Sequence, residues 1–214
     1  MDVSTPSSSN EMHQLLVSVS RYQYVQKNGT VAWQWKAIDI DLSRRHQAKR
    51  DHLVFFVVRD VVSGACYGEI GCLSRMLSLP ALLQRAWARK LDGTELLQGL
   101  PRGLVIPDRV FEAFPIAAVI INRLQIDCFR PTSGFAAGVR DIREWENTVR
   151  CRPWERTPDV VLSKGPEVAA WINRRLAPPR INVWRTLLRD ELRFAPPDFD
   201  FEHPSKYPRH GIGQ

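Results

Sequence analysis

Apolar and polar positions alternate along this chain in short blocks, and the blocks predict elements in a definite order. Residues 34–42, QWKAIDIDL, alternate well enough to read as a first strand, with Asp39 and Asp41 on the same face. The basic stretch RRHQAKRD (44–51) then reads as a turn. HLVFFVVRDV (52–61) is a near-continuous β-branched and aromatic run, as expected of a central strand buried on both faces. Ser63-Gly64 is a turn dipeptide, and ACYGEIGCL (65–73) a third strand. Three strands joined by short links predict an antiparallel meander.

The periodicity then changes. In residues 79–91, Leu79, Leu82, Leu83, Ala86, Trp87 and Leu91 share one helical face, with Pro80 in the first turn. GLVIP (103–107) predicts a short buried strand. Residues 109–124 predict a helix that Pro115 can kink or restart. IDCFR (126–130) predicts a fifth strand, PTSG a loop, and 136–149 a helix. The order is βββαβαβα, an α/β fold with a mixed five-stranded sheet flanked by helices.

The two ends read differently. Residues 1–12 are polar and Ser-rich, a flexible leader. Residues 13–150 hold the ordered blocks. Residues 151–214 hold nine of the 15 prolines and form a helical, basic, Pro-rich extension, with helices expected at 166–176 and 181–192. From Ala195 onward periodicity is lost, and an extended tail is expected.

Composition narrows the function classes. The net charge of +7 and a pI near 9.6 favour a polyanionic partner, DNA first. Arg44, Arg45, Lys49 and Arg50 in the basic turn, with Arg140 and Arg143 further on, are the candidate phosphate contacts. Trp145, Trp154, Trp171 and Trp184 either pack the core or stack bases. Cys66, Cys72, Cys128 and Cys151 form no C-x-x-C pair and have no His at zinc spacing, so reduced thiols in a cytoplasmic protein are expected. For a prokaryotic chain that means association with the nucleoid. No apolar run approaches the roughly 18 residues of a membrane span, so no membrane partner is expected.

The carboxylates suggest a chemistry. In the predicted topology the first strand carries Asp39 and Asp41, Asp108 follows the fourth strand, and the last helix carries Asp141 and Glu144 on one face. Two unit charges about 4 Å apart repel by about 4 kcal/mol at an effective dielectric near 20. Converging carboxylates therefore call for a cation, and such oxygen ligands suit Mg²⁺ or Mn²⁺. A pair of such ions can activate an oxygen nucleophile and stabilise the leaving oxygen of a phosphodiester.

This order of elements and acids resembles the RNase H-like catalytic domain of DDE transposases and retroviral integrases. WKAIDIDLS is similar to that family's first strand, and HLVFFVVRDVVSGACYGEI to its second and third strands. LPRGLVIPD is similar to the strand that ends in the second acid, and IDCFRPTSGFAAGVRDIREWENTV to its strand, Pro-rich loop and Gly-led helix. The resemblance covers residues 30–150. It implies a metal-dependent polynucleotidyl transferase that cleaves DNA and transfers strands, partnered by DNA and by its own copies or other recombination subunits. It implies Asp39 as first ligand, with Asp41 as fallback, and Asp108 as second. The third is Asp141, three residues after Gly138, or Glu144, which leaves 35 residues between itself and Asp108. Asp60 matches a non-catalytic turn position.

Two departures stand beside the resemblance. Asp108 is followed by Arg109 and Val110 rather than by Asn-Gly, which sets a cation beside the expected metal. No zinc or helix-turn-helix DNA-recognition segment is evident. These features open a second reading, a catalytically inactive DNA-binding or assembly subunit on the same fold; a third, an RNase H or resolvase-type nuclease, shares the acid site but not the Pro-rich loop and Gly-led helix.

Overall fold

The computed structural model describes residues 6, 8–90, 97–131, 136–176 and 192–207, with backbone alone for 136–141. Its centre is a strand at Met12–Val25 (β1), where no element was expected. β1 pairs antiparallel with β3 (Asp51–Asp60) on one side and parallel with β5 (Gly103–Val105) on the other. β4 (Cys66–Cys72) extends the sheet beyond β3, and β6 (Asp127–Phe129) extends it beyond β5. The order is β4-β3-β1-β5-β6, and the short β2 (Val31–Trp33) also pairs with β1. The sheet is therefore mixed, as expected, with six strands in place of five.

Side-chain alternation explains why these strands are central. In β3, Val54, Phe56 and Val58 join one core, and Leu53, Phe55 and Val57 join the other. A strand buried on both faces has no polar side to show, hence its continuous apolar run. In β1, Leu15, Val17 and Val19 enter the first core. The other face carries Leu16 with Gln14, Ser18 and Ser20, and those polar residues break the hydrophobic alternation. Gln14 and Ser20 are fully buried nonetheless.

The helices cover the two faces. α1 (Leu79–Trp87) starts at the N-cap Ser78, whose hydroxyl accepts the Ala81 amide, and lays Leu79, Leu82, Leu83, Ala86 and Trp87 on the first face. The helix expected over 109–124 is two helices, α2 (Asp108–Ala113) and α3 (Ile116–Arg123). Pro115 lacks an amide proton, and Phe114 before it leaves the helical region, so the chain restarts there. α4 (Ala136–Cys151), α5 (Pro158–Ser163) and α6 (Gly165–Arg174) cover the second face through Trp145, Val149, Val161, Val168 and Ile172. α5 was not expected.

Two further expectations are corrected. Residues 34–41 form no strand, and a 3-10 turn follows at Leu42–Gln47. The place beside β3 is taken by β1, which can bury both faces, whereas Trp35 and Ile38 are exposed. The C-terminal segment is no extended tail over its described part. Phe199, Phe201 and Tyr207 are buried in the first core, with Phe199 and Phe201 edge to face at 4.8 Å and Phe201 against Trp87 at 6.4 Å. Aromatic anchors set among prolines carry no helical or strand period, so they were not legible as core. The helix expected at 181–192 lies outside the described residues except for its last position.

Candidate functional site

The pairing of β1 with β3 contains an irregularity, and it shapes one end of the molecule. Val19 sits opposite Val54, but Tyr24 sits opposite His52, so β1 spends extra residues between these two pairs. Ser20 organises the excess. Its hydroxyl accepts the amides of Tyr22 at 3.3 Å and Gln23 at 2.9 Å, and donates to Glu146 on α4 at 2.5 Å. The same Glu146 oxygen accepts the Arg21 amide at 3.0 Å, and the Gln23 side chain donates to the Glu146 carbonyl at 2.7 Å. Burial pushes the Glu146 carboxyl above its usual range, opposed by the bonds from Ser20 and Arg21. His52 lies beneath the bulge with Nδ1 2.8 Å from the Ser20 carbonyl, and burial holds its pKa below the ordinary value.

Beyond the bulge the chain opens a cleft. Tyr22 stacks on Trp33 at 4.7 Å with rings only 10° from parallel, and the Arg150 guanidinium lies over Trp33 at 4.6 Å. Arg50 covers Tyr24 at 4.4 Å and donates to Gln34 at 2.8 Å. Trp33, Tyr24 and Arg50 of these layers form one wall. The segment 34–41 and the 3-10 turn form the other, and together they enclose about 910 Å³ lined in part by Trp35, Lys36, Ile38, Asp39, Arg44 and Lys49. Trp35 is 93% exposed, the most exposed large apolar side chain described. Lys36, Arg44 and Lys49 form no ion pair among the described residues.

The predicted site residues fall in several places. Asp39 is exposed on the irregular segment and faces the cleft. Asp41 caps the 3-10 turn, accepting the Ser43 amide at 3.0 Å, and this bond holds its carboxyl below the usual range, with Arg44 and Arg109 adding attraction. Asp108 opens α2 just past the end of β5 and is paired with Arg130 at 3.0 Å. Glu144 is paired with Arg175 at 2.9 Å and lies near Arg59, Cys66 and Ile172, over the β3 and β4 side of the second face. Among the candidate phosphate contacts, Arg44, Lys49 and Arg50 share the cleft, whereas Arg45 is half-buried outside it and Arg143 is exposed on α4. The side chains of Arg140 and Asp141 lie outside the described residues. Asp60 caps the turn after β3, accepting Ser63 and Asn10 amides at 2.6 and 2.9 Å.

A divalent-metal site would need several of these carboxylates together. β1, the strand beside β5, contains no Asp or Glu. Carried on from Gln14 opposite Val105, the parallel register puts Leu15 to Ser18 level with the start of α2. Among the described residues no three His, Cys, Asp or Glu side chains are grouped so as to hold a metal ion. The described donors thus do not fit Mg²⁺ or Mn²⁺. None of the described helices is long and apolar enough to cross a membrane.

Sequence reasoning missed Trp35, Lys36 and Ile38 as cleft residues, because they were counted into a strand. The missed signal was the pair of strands around Asn28-Gly29, a turn dipeptide that sets a hairpin before residue 34. Gly29 has the positive φ of 78° that such a turn requires.

No protein-family model matches this chain, and no curated protein matches it. Among solved structures, the chain is similar to the catalytic core domain of HTLV-2 integrase in complex with magnesium (dimeric form), with 15% identity and a TM-score of 0.42, over 79% of this chain and 90% of that one. It is also similar to a chain of the simian T-cell lymphotropic virus intasome in complex with PP2A regulatory subunit B56 gamma, with 16% identity and a TM-score of 0.41. That match covers 90% of this chain, which spans 60% of the length of the other.

Proposed function

We propose that this protein is a DNA-binding or assembly subunit on an RNase H-like, integrase-type scaffold, and that it engages DNA without a carboxylate-held metal. The observation that carries this reading is the absence of any carboxylate on β1, the strand parallel to the one that leads to Asp108. The ion pairs of Asp108 and Glu144 support it less strongly. Exposed pairs are worth about 0–1 kcal/mol, and a bound cation would displace them. A missing ligand on the central strand is not repaired by a rotamer change. Positive support comes from the net charge of +7 and from the three cleft cations that form no close ion pair among the described residues.

The competing reading is polynucleotidyl transfer by Asp39, Asp108 and Asp141 or Glu144 with two Mg²⁺ or Mn²⁺ ions. Calorimetric titration with Mn²⁺, run beside a nicking and strand-transfer assay, separates the two. The proposed reading expects no Mn²⁺ binding at millimolar concentration and no nicking, with DNA binding retained. Saturable Mn²⁺ binding and nicking, both lost in Asp39→Asn and Asp108→Asn, would establish the transferase instead.

A further inference from the structure

The cleft beyond the β1 bulge has a composition that selects among nucleic-acid forms. We propose that it takes single-stranded DNA, with an unpaired base stacked on Trp35 and the flanking phosphates held by Lys36, Arg44, Lys49 and Arg50. This inference rests on the reading above that the chain engages DNA. It adds the form of the DNA, the place it binds and the residue that selects it.

Three observations carry it. First, Trp35 is 93% exposed, although the same short segment sends Val31 into the second core. Trp33, two residues earlier, is already packed by Tyr22 and Arg150. Trp35 has no ring partner among the described residues, and its face is available for stacking. Second, charge complementarity fits a phosphate chain. Lys36, Arg44, Lys49 and Arg50 line the cleft against two carboxylates, Asp39 and Asp41, and the Asp41 carboxylate already accepts the Ser43 amide. The one histidine in the lining, His52, is held neutral by burial and adds no charge. Third, the volume of about 910 Å³ lies near the top of the range of about 300–1,000 Å³ in which small-molecule sites fall. A solvent-exposed ring at the cleft accepts a base that can swing out of its strand. Duplex DNA keeps its base faces stacked inside and offers only edges and backbone.

Fluorescence anisotropy with a labelled oligo-dT and with a labelled duplex of equal length tests this on the full chain. The expected result is oligo-dT binding that Trp35→Ala weakens by about 5- to 100-fold, the span of one lost stacking contact. Trp35→Phe retains most of the affinity, and Trp35→Ala leaves duplex binding unchanged. Lys49→Ala lowers the slope of log affinity against log salt by about 0.7, as for one lost phosphate of a single strand. Because Trp35 is exposed, its variants keep the wild-type thermal unfolding midpoint, so lost binding is not lost folding. If both DNA forms bind and Trp35→Ala alters neither, the inference is overturned while the DNA-binding reading stands. If neither form binds, both fall. If polyglutamate binds in the same Trp35-dependent way, the cleft is a peptide site and the inference is overturned.

Discussion

The buried face of β1 and the cleft at its far end use polar residues in opposite ways. Inside, Ser20, Gln23 and Glu146 bond to one another, and the carboxylate fixes a strand bulge under α4. In the cleft, Trp35, Lys36, Arg44 and Lys49 have neither ion-pair nor ring partners among the described residues. A buried carboxylate whose oxygen accepts two donors of the bulge serves the fold. Cations without a close ion pair and an aromatic ring open to solvent add little to the fold, and we read their placement as pointing to a ligand. This difference is why we propose that DNA meets the surface cleft.

The comparison breaks most visibly in the core. Trp145 is 1% exposed and seats its ring against Gly68 and edge to face with Phe55 at 6.4 Å, so Trp145→Ala should destabilise by about 4 kcal/mol in urea unfolding. Glu146→Ala removes the acceptor of the Ser20 hydroxyl and Arg21 amide and should cost about 2–3 kcal/mol. Glu146→Gln, which keeps an acceptor oxygen, should cost clearly less. Equal losses in the two variants would mean that the bulge does not depend on the acceptor.

The next effect is one of pH. His13 is fully buried, with Nε2 2.7 Å from the Asn10 side-chain oxygen and Nδ1 accepting the Trp87 indole at 3.2 Å, and burial lowers its pKa to about 3. The unfolded chain takes up this proton below about 6.5 and the folded chain does not. The contribution is therefore fully present above pH 6.5 and is lost as pH falls towards 3. His52 acts in the same direction, whereas the raised carboxyls of Asp60 and Glu146 act oppositely in the acid range. Stability measured from pH 7 to pH 5 should fall, and His13→Gln should flatten that slope by up to about 1.4 kcal/mol per pH unit. An unchanged slope would contradict a buried neutral His13.

The smallest effect lies in the cleft and has an unusual sign. Asp39→Asn removes one of two carboxylates facing the cleft, so DNA should bind about twofold tighter at low salt, with stability unchanged. A metal-ligand role for Asp39 requires the reverse, a loss of function.

Much of the fold could be read in advance, and each failure has its own physical cause. β3, β4, α1 and the strand to Asp108 were legible because each has a clean period or a continuous apolar run. β1 was not, because Gln14, Ser18, Ser20 and Gln23 look like solvent-facing residues and only the folded partner Glu146, more than 120 residues later, explains two of them. Residues 34–42 filled the empty place because their alternation imitates a strand. That substitution moved Asp39 onto the sheet and with it the expected acid site. The basic turn was legible as charge, and Arg44, Lys49 and Arg50 do share the cleft. Trp35 was not legible as its partner, since exposure is a property of the fold.

Oligo-dT binding measured in EDTA and in Mg²⁺ at matched ionic strength, for the wild type and Asp108→Asn, tests the central claim most directly. The account predicts the same affinity in all four conditions and no strand cleavage. Binding or cleavage that appears only with Mg²⁺ and is lost in Asp108→Asn would contradict it.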